Sequence, residues 1–600
     1  VHFKRSEITR HPMTRLISKT TRATLLASLL LCAGSTFAAG PNVTIVVRPD
    51  APKLEQYAAK ELSAQLKSLF DAKVSISAEP SNADNVILLS GGWPGLSEQG
   101  HLVLSTQRNG KPMLLLGGGS PAAALWAVYE LRHHFGVRSL LHADFPPIKR
   151  PSFALEGINI RREPNLNIRA WRVMAPSLAG PESWSLADHK LRLKQLAKLK
   201  FNRVVLSLHP SQPFVHFKYG GISKQTGALW HGQTFRVDGE TAGRAAFGRD
   251  RVFQNPDFKG ATTYEARVKA GVKLVTGIID AAQALGMTVA LDVDGDEFPD
   301  EFASLLPRHR AALRKAQLDA YKQTYPKADA WTTMSPNRSS ALTTARGSGA
   351  SHPQSDLTEL LFLGSPTGGV LPEFNNQQLH RTILRIRGAR MEGFTAASWL
   401  PDDLNSSAYY LSRAAFNRKM TQAKALDGLV TPICGPDVGA RIAIGFQHIA
   451  DASSSIVENG ANIATLTPNV VMQHYASNAP VPEWWATTKT SFAEAMNEMY
   501  RGNTRARGGA RAFSLYHAKR FEFALHYFTC LEETRQAGIA KAAKDKDAQL
   551  DHLDKAVEAM HNALGAMADV DRNNGDRGII AALNEYGFRP LLKELEQAER

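Results

Sequence analysis

At 600 residues the chain is too long for one hydrophobic core, so several domains are expected. Hydrophobic residues make up 43% and charged residues 21%, a globular balance that excludes a disordered or fibrous protein. The formal net charge is +15, yet no dense basic cluster interleaved with aromatics is present, so a nucleic-acid-binding module is not expected.

Residues 1–38 read as a targeting segment rather than fold. Arg15, Lys19 and Arg22 precede the apolar run Ala23–Ala33, and Ser35-Thr36-Phe37-Ala38-Ala39 is a small-residue cleavage site. That order predicts a Sec-type signal peptide, too short to span a bilayer, and a periplasmic or secreted protein. Without this segment the excess positive charge falls from +15 to +10. No later segment is apolar and long enough to be a membrane span. Cys434 and Cys530 remain after cleavage. Oxidising export permits a bridge between them, but spacing alone leaves the pairing open.

Residues 39–152 are expected to form a small α/β domain. Val43–Val47 reads as a strand, and Lys53–Phe70 as an amphipathic helix with Leu54, Tyr57, Ala58, Leu62, Leu66 and Leu69 at helical spacing. Two further strands follow, then a hairpin across Asn109-Gly110. Gly117-Gly118-Gly119-Ser120 opens a helix from Pro121. The glycines lack the Lys-Ser/Thr of a phosphate loop and the spacing of a dinucleotide fingerprint, so a tight strand-to-helix connection is expected.

The sequence Tyr57-Ala58-Ala59-Lys60-Glu61-Leu62, the glycine turn, Ala124–Leu131 and Phe135-Gly136-Val137-Arg138 together resemble the N-terminal domain of α-glucuronidases and bacterial-type β-N-acetylhexosaminidases. The resemblance implies an accessory domain without catalytic residues, followed by a catalytic barrel.

Strands alternate with helices over residues 153–420, and five or six such units are recognisable. This pattern predicts an α/β fold, a (β/α)8-type TIM barrel. In Val204–His209, Val204, Leu206 and Leu208 share one face, so Ser207 and His209 are expected to point inward, with His209 at the rim. Residues 210–262 hold eight glycines and eight aromatics. Such a loop at the catalytic face predicts a lid or sugar-binding wall. Residues 331–356 are rich in Ser, Thr, Gly and Pro and are expected to be another loop.

The stretch Thr288–Pro299, TVALDVDGDEFP, carries the chemistry. Val289, Leu291 and Val293 form an apolar face, while Asp292 and Asp294 share the other. Beyond Gly295 come Asp296 and Glu297. Carboxylates at the C-terminal end of a barrel strand suit acid/base work on a glycosidic bond. Asp294, Asp296 and Glu297 are therefore the candidate catalytic residues. His209, Glu373, Trp399, Asp402 and Asp403 are the candidate substrate-binding residues, with Trp399 offering a face for sugar stacking. Gly295-Asp296-Glu297 resembles the end of the His-x-Gly-Gly-Asp-Glu motif of β-N-acetylhexosaminidases. There the Asp orients the substrate acetamide and the Glu is the acid. Asp292 and Asp294 stand where that motif has His and its first Gly.

Oxygen ligation of calcium by the four acids is a rival reading, but they lack EF-hand spacing. No nucleophile elbow, zinc-protease helix or phosphate loop is present. No metal or cofactor is expected. Residues 421–600 read as long helices, a helical domain suited to packing or to homodimer formation. The expected function is an exported glycoside hydrolase acting on a polysaccharide or oligosaccharide containing uronic acid or N-acetylhexosamine. The alternative is a non-catalytic carbohydrate-binding protein on the same scaffold.

Overall fold

The computed structural model describes residues 40–80, 85–173, 178–294, 297–333, 341–344, 356–363, 369–374, 376–398, 404–460 and 462–600. Residues 1–38, expected from the sequence to be a signal peptide, lie outside the described residues.

The N-terminal part alternates β1 (Asn42–Val46), α1 (Lys53–Phe70), β2 (Lys73–Ser77), β3 (Asn85–Ser90), β4 (His101–Arg108), β5 (Lys111–Gly118) and α2 (Pro121–His134). Two short strands, β6 (Arg138–Ser139) and β7 (Asp144–Phe145), pair with each other. β8 (Asn159–Arg162) returns to pair with β4, completing a sheet of order β2-β1-β3-β5-β4-β8. Asn109 and Gly110 both have positive φ, at 51° and 73°, the geometry a two-residue hairpin turn demands. The glycine turn before α2 is a matter of close approach. A Cβ at Gly118 would sit 2.0 Å from the Ala124 nitrogen, and one at Gly119 would sit 1.8 Å from the Ser97 carbonyl oxygen. Ser120 caps α2 by accepting from the Ala123 N–H at 3.2 Å.

The second part runs β9 (Ile168–Val173), α3 (Leu186–Lys198), β10 (Arg203–Leu208), a hairpin of β11 (Lys218–Tyr219) and β12 (Ile222–Ser223), and α4 (Tyr264–Ala284). It continues with β13 (Thr288–Val293), α5 (Leu306–Thr324), β14 (Ala330–Thr333), β15 (Ala341–Thr344), β16 (Asp356–Phe362), α6 (Asn376–Gly388), β17 (Gly393–Ser398) and α7 (Asn405–Ala414). Strand pairing runs β9-β10-β13-β14-β15-β16-β17 and returns to β9. Among the described residues seven strands are paired in this ring, where the sequence pattern predicts eight units. β15 is antiparallel to both neighbours, and the other pairs are parallel. The structure corrects the loop expected over 331–356, which contains the end of β14 and all of β15. The local signal was β-branched, in Trp331-Thr332-Thr333 and Leu342-Thr343-Thr344, but the polar residues around it outweighed it.

Strand parity separates two apolar layers. Trp171, Val204, Leu206, Leu208, Val289, Leu291 and Val293 join the main core. Ile168, Ala170, Val205, Ala290 and Ala330 form a separate cluster inside the ring. The inward positions therefore start apolar at the N-terminal ends of the strands and become polar one or two pleats later, at Arg172, Ser207 and Asp292.

The N-terminal sheet is locked to this ring by buried charge. Glu130 of α2 accepts two bonds from Arg413 of α7, both 2.9 Å, and pairs with Lys200 and with Arg162 at 3.2 Å. Burial pushes the Glu130 carboxyl up, but Arg413 and Lys200 outweigh it and hold the carboxyl well below its usual range.

The remainder is helical: α8 (Gln422–Cys434), α9 (Pro436–Asn459), α10 (Met472–Tyr475), α11 (Trp484–Arg505), α12 (Gly509–Ala543), α13 (Lys546–Ala568), α14 (Asn574–Leu583) and α15 (Arg589–Glu599). Cys434 and Cys530 are free and buried, and burial pushes each thiol up to about 12. No helix among the described residues is long and apolar enough to cross a membrane.

Candidate active site

Parallel register places Ser207 opposite Asp292, and the next inward pair beyond it is His209 and Asp294. The Asp294 N–H donates to the Leu208 carbonyl at 3.1 Å, continuing the ladder past the last strand residue. His209 and Asp294 thus stand side by side at the C-terminal ends of β10 and β13, as strand parity requires.

Glu297 folds back over them. Its N–H donates to Asp294 Oδ1 at 3.1 Å. Its Oε2 lies 3.3 Å from His209 Nδ1, which is also 3.9 Å from Asp294 Oδ2. The Glu297 side chain is 61% exposed, whereas those of His209 and Asp294 are 13% and 18% exposed. The cluster is therefore buried on two sides and open at the carboxylate of Glu297.

Other elements hold the backbone beneath it. Gln212 Oε1 accepts from the His209 N–H at 2.8 Å. Gln317 of α5 donates to the Asp294 carbonyl at 2.9 Å, and the Tyr321 hydroxyl donates to the His209 carbonyl at 3.4 Å. One pleat down, Asp292 pairs with Arg172 of β9, whose Nε donates to Ser207 Oγ at 2.8 Å. Burial raises the Asp292 carboxyl, and the nearby guanidinium only partly offsets this. Sequence reading missed Arg172, although its parity with Ile168 and Ala170 marks it as inward.

Glu373 is buried in the loop after β16, where the following N–H of Phe374 donates to Ser453 Oγ at 2.9 Å. Asp296, Trp399, Asp402 and Asp403 lie outside the described residues.

The long segment 210–262 departs from the lid or aromatic wall that was expected. Phe214, Phe217, Trp230, Phe235, Phe247 and Phe253 are all buried, and Phe217 stacks on Phe302 with centroids 4.9 Å apart. They pack on one another and into the main core. Lys224 is fully buried and donates to the carbonyls of Gln212 at 2.6 Å and Val215 at 2.9 Å. Glu301, just past β13, accepts from the Gln225 N–H at 2.7 Å and from the N–H and hydroxyl of Thr226. From the other side, Asn584 bonds both backbone groups of Ala242, and Arg589 pairs with Asp238 at 2.8 Å.

Two adjoining clefts, of about 640 and 460 Å³, lie away from this cluster, between α6, α8 and α9. Phe374, Gln422 and Gln447 line both.

Solved structures similar to this chain include glycoside hydrolases. A GH138 enzyme targeting pectin rhamnogalacturonan II superimposes with a TM-score of 0.52 at 9% identity, covering 93% of this chain and 100% of that one. The fold is that of glycoside hydrolases. A GH115 4-O-methyl-α-glucuronidase with specificity for decorated arabinogalactans gives a TM-score of 0.51 at 12% identity, covering 91% and 79%. A family 89 glycoside hydrolase from Clostridium perfringens gives 0.51 at 11% identity, covering 91% and 76%. No family model matches the chain, and no curated protein matches it. The glycoside hydrolase fold therefore rests on shape, and the chemistry rests on the residues above.

Proposed function

We propose that this protein is an exported glycoside hydrolase that cleaves O-glycosidic bonds of N-acetylhexosamine-containing glycans on a scaffold of (β/α)8 type. The observation that carries this reading is the closeness of its two rim carboxylates. One oxygen each from Asp294 and Glu297 lie within 4.8 Å of one another, with His209 beside both. Carboxylates that flank a glycosidic bond stand about 5–5.5 Å apart in retaining enzymes and about 6.5–9.5 Å apart in inverting ones. A pair held together at one rim, rather than facing each other across the bond, suits an acid with a neighbouring orienter, the arrangement in which the substrate's own acetamide is the nucleophile.

In that mechanism Glu297, the exposed member, gives its proton to the leaving oxygen as the glycosidic C–O bond breaks. The acetamide oxygen bonds to the anomeric carbon. Asp294 accepts the acetamide N–H and stabilises the charge that develops on the ring. Glu297 then takes a proton from water as that water opens the cyclic intermediate. His209 fixes both carboxylates, and the Arg172–Asp292 pair keeps the floor polar without adding net charge.

The test is turnover of aryl N-acetylhexosaminides beside aryl uronides. Cleavage of the former that is lost in Glu297→Gln supports the reading. Cleavage of uronides alone would reject the acetamide mechanism. Sugar binding without any cleavage would favour a carbohydrate-binding protein, a reading that the exposed Glu297 carboxylate also serves as a hydroxyl acceptor.

A further inference from the structure

His209, Asp294 and Glu297 converge from the ends of two neighbouring strands, one potential ligand atom from each lying within 4.8 Å of the others. A tetrahedral zinc ion, with bonds of about 2.0–2.2 Å to nitrogen and oxygen, holds its ligand atoms roughly 3.4 Å apart. His209 Nδ1 is 3.3 Å from one carboxylate oxygen and 3.9 Å from the other, close to that bite. Glu297 is the exposed member, so its side chain is free to make the remaining adjustment.

A second observation comes from the layer below. Asp292 lies on the same inward face two residues before Asp294, and it is 2% exposed. Its Oδ2 pairs with Arg172, but its buried Oδ1 has no hydrogen-bond partner. A buried carboxylate oxygen without a donor is costly. Arg172 balances the charge of Asp292, but this second oxygen, one pleat below the cluster, is left without a donor. A divalent cation above would face it together with the carboxylates of Asp294 and Glu297.

We propose that His209, Asp294 and Glu297 bind one divalent transition-metal ion of the zinc class. Asp292 lies one pleat below and is not a ligand. The imidazole nitrogen sets the class: calcium and magnesium favour all-oxygen sites, whereas mixed nitrogen and carboxylate donors suit zinc. Three protein ligands leave a position open to water or to a substrate oxygen. With the ion bound, Glu297 no longer carries a transferable proton, so the cation inhibits hydrolysis. That consequence rests on the hydrolase reading above, whereas the binding does not.

The experiment is calorimetric titration of the full chain, stripped with a chelator, using zinc chloride, with magnesium and calcium chlorides in parallel. One zinc per chain is expected, with much weaker binding of the other two. His209→Ala and Glu297→Gln should each weaken zinc binding roughly tenfold or more, since even losing a ligand's supporting partner costs 10–100-fold. Glu297→Gln is the informative variant if His209→Ala disturbs the fold, and melting temperature is recorded for both. Absence of zinc binding, or equal affinity in wild type and Glu297→Gln, overturns the site. If zinc binds but leaves the turnover of an active enzyme unchanged, the cation site stands and Glu297 is not the acid. If turnover needs Glu297 but zinc does not bind, the hydrolase reading stands and the cation site falls.

Discussion

Arg172 and Asp292 pair across the inside of the strand ring, from β9 and β13, with Ser207 of the intervening β10 bonded to the same guanidinium. The two side chains are 11% and 3% exposed. Replacing both charges would cost little, but removing one strands the other in the interior. Arg172→Met should therefore destabilise the protein by about 3–5 kcal/mol at neutral pH. The pH dependence has a definite sign. Burial already raises the Asp292 carboxyl, and loss of the guanidinium raises it further. A raised carboxyl favours the folded state fully below its unfolded value of about 3.9 and loses that contribution as pH rises through its folded value. The penalty of Arg172→Met should thus be smaller at pH 4 than at pH 7, and Asp292→Asn in the same chain should remove most of the difference. Urea denaturation of the three variants at both pH values is the check. A pH-independent penalty would mean that Arg172 acts by packing.

Glu297 and Asp294 should separate activity from stability. Glu297→Gln removes the proposed acid from an exposed position, so turnover should fall about 10²–10⁴-fold, the usual contribution of a general acid, with melting temperature unchanged. Asp294→Asn should also lose turnover. Its amide oxygen still accepts from the Glu297 N–H, so the turn should survive. Turnover and melting temperature measured side by side decide between these outcomes. Turnover unchanged from wild type in both variants would take the cluster out of the chemistry.

Lys224 gives the segment 210–262 a stability that depends on pH. Burial pushes its ammonium down to about 7, against a weaker opposing pull from Glu301. A lysine with an ordinary value near 10.4 stays protonated in the unfolded chain where the folded chain has already lost the proton. Between about pH 7 and pH 10 the unfolded state binds more protons, so this group makes stability rise with pH. The slope of wild type minus Lys224→Met, read from denaturation midpoints, should be positive in that window. A flat difference would mean that Lys224 keeps its proton in the fold.

Sequence patterning reached the layers of this protein better than its loops. The alternation Val204, Leu206, Leu208 and Val289, Leu291, Val293 determines which side chains turn inward, because a one-residue slip would bury Asp292 and Asp294 against the helices. That is why His209 and Asp294 both turn inward and stand side by side. The same rule applied to Ile168–Val173 would have shown Arg172 facing inward. Partners from distant segments left no local trace: Gln317 on α5 and Asn584 near the C-terminus. The aromatics of 210–262 were visible, but composition does not distinguish a ring that stacks on sugar from one buried against Phe302. The antiparallel β15 was hidden because its four residues carry too short a pattern to stand out from a polar stretch.

Asn584 tests whether the C-terminal helices hold the long segment in place. It is fully buried in the π-helical turn between α14 and α15. Its amide donates to the carbonyls of Ala242 at 2.9 Å and Ile580 at 2.8 Å, and its oxygen accepts from the Ala242 N–H at 2.8 Å. Asn584→Ala leaves the Ala242 groups without these partners, and a buried unsatisfied group costs about 1–3 kcal/mol. Much of that loss should appear locally, because segments with few remaining ties open before the whole fold does. Arg236, Arg244, Arg249 and Arg251 lie in this region and become trypsin sites when it opens. Limited proteolysis should therefore cut Asn584→Ala faster than wild type between 236 and 251, with cuts elsewhere unchanged. Arg589→Ala, which loses only the ion pair to Asp238 and neighbouring contacts, should show a smaller increase at the same bonds. Equal cleavage of all three proteins would mean that the segment is held by its buried aromatics and that the C-terminal contacts are incidental.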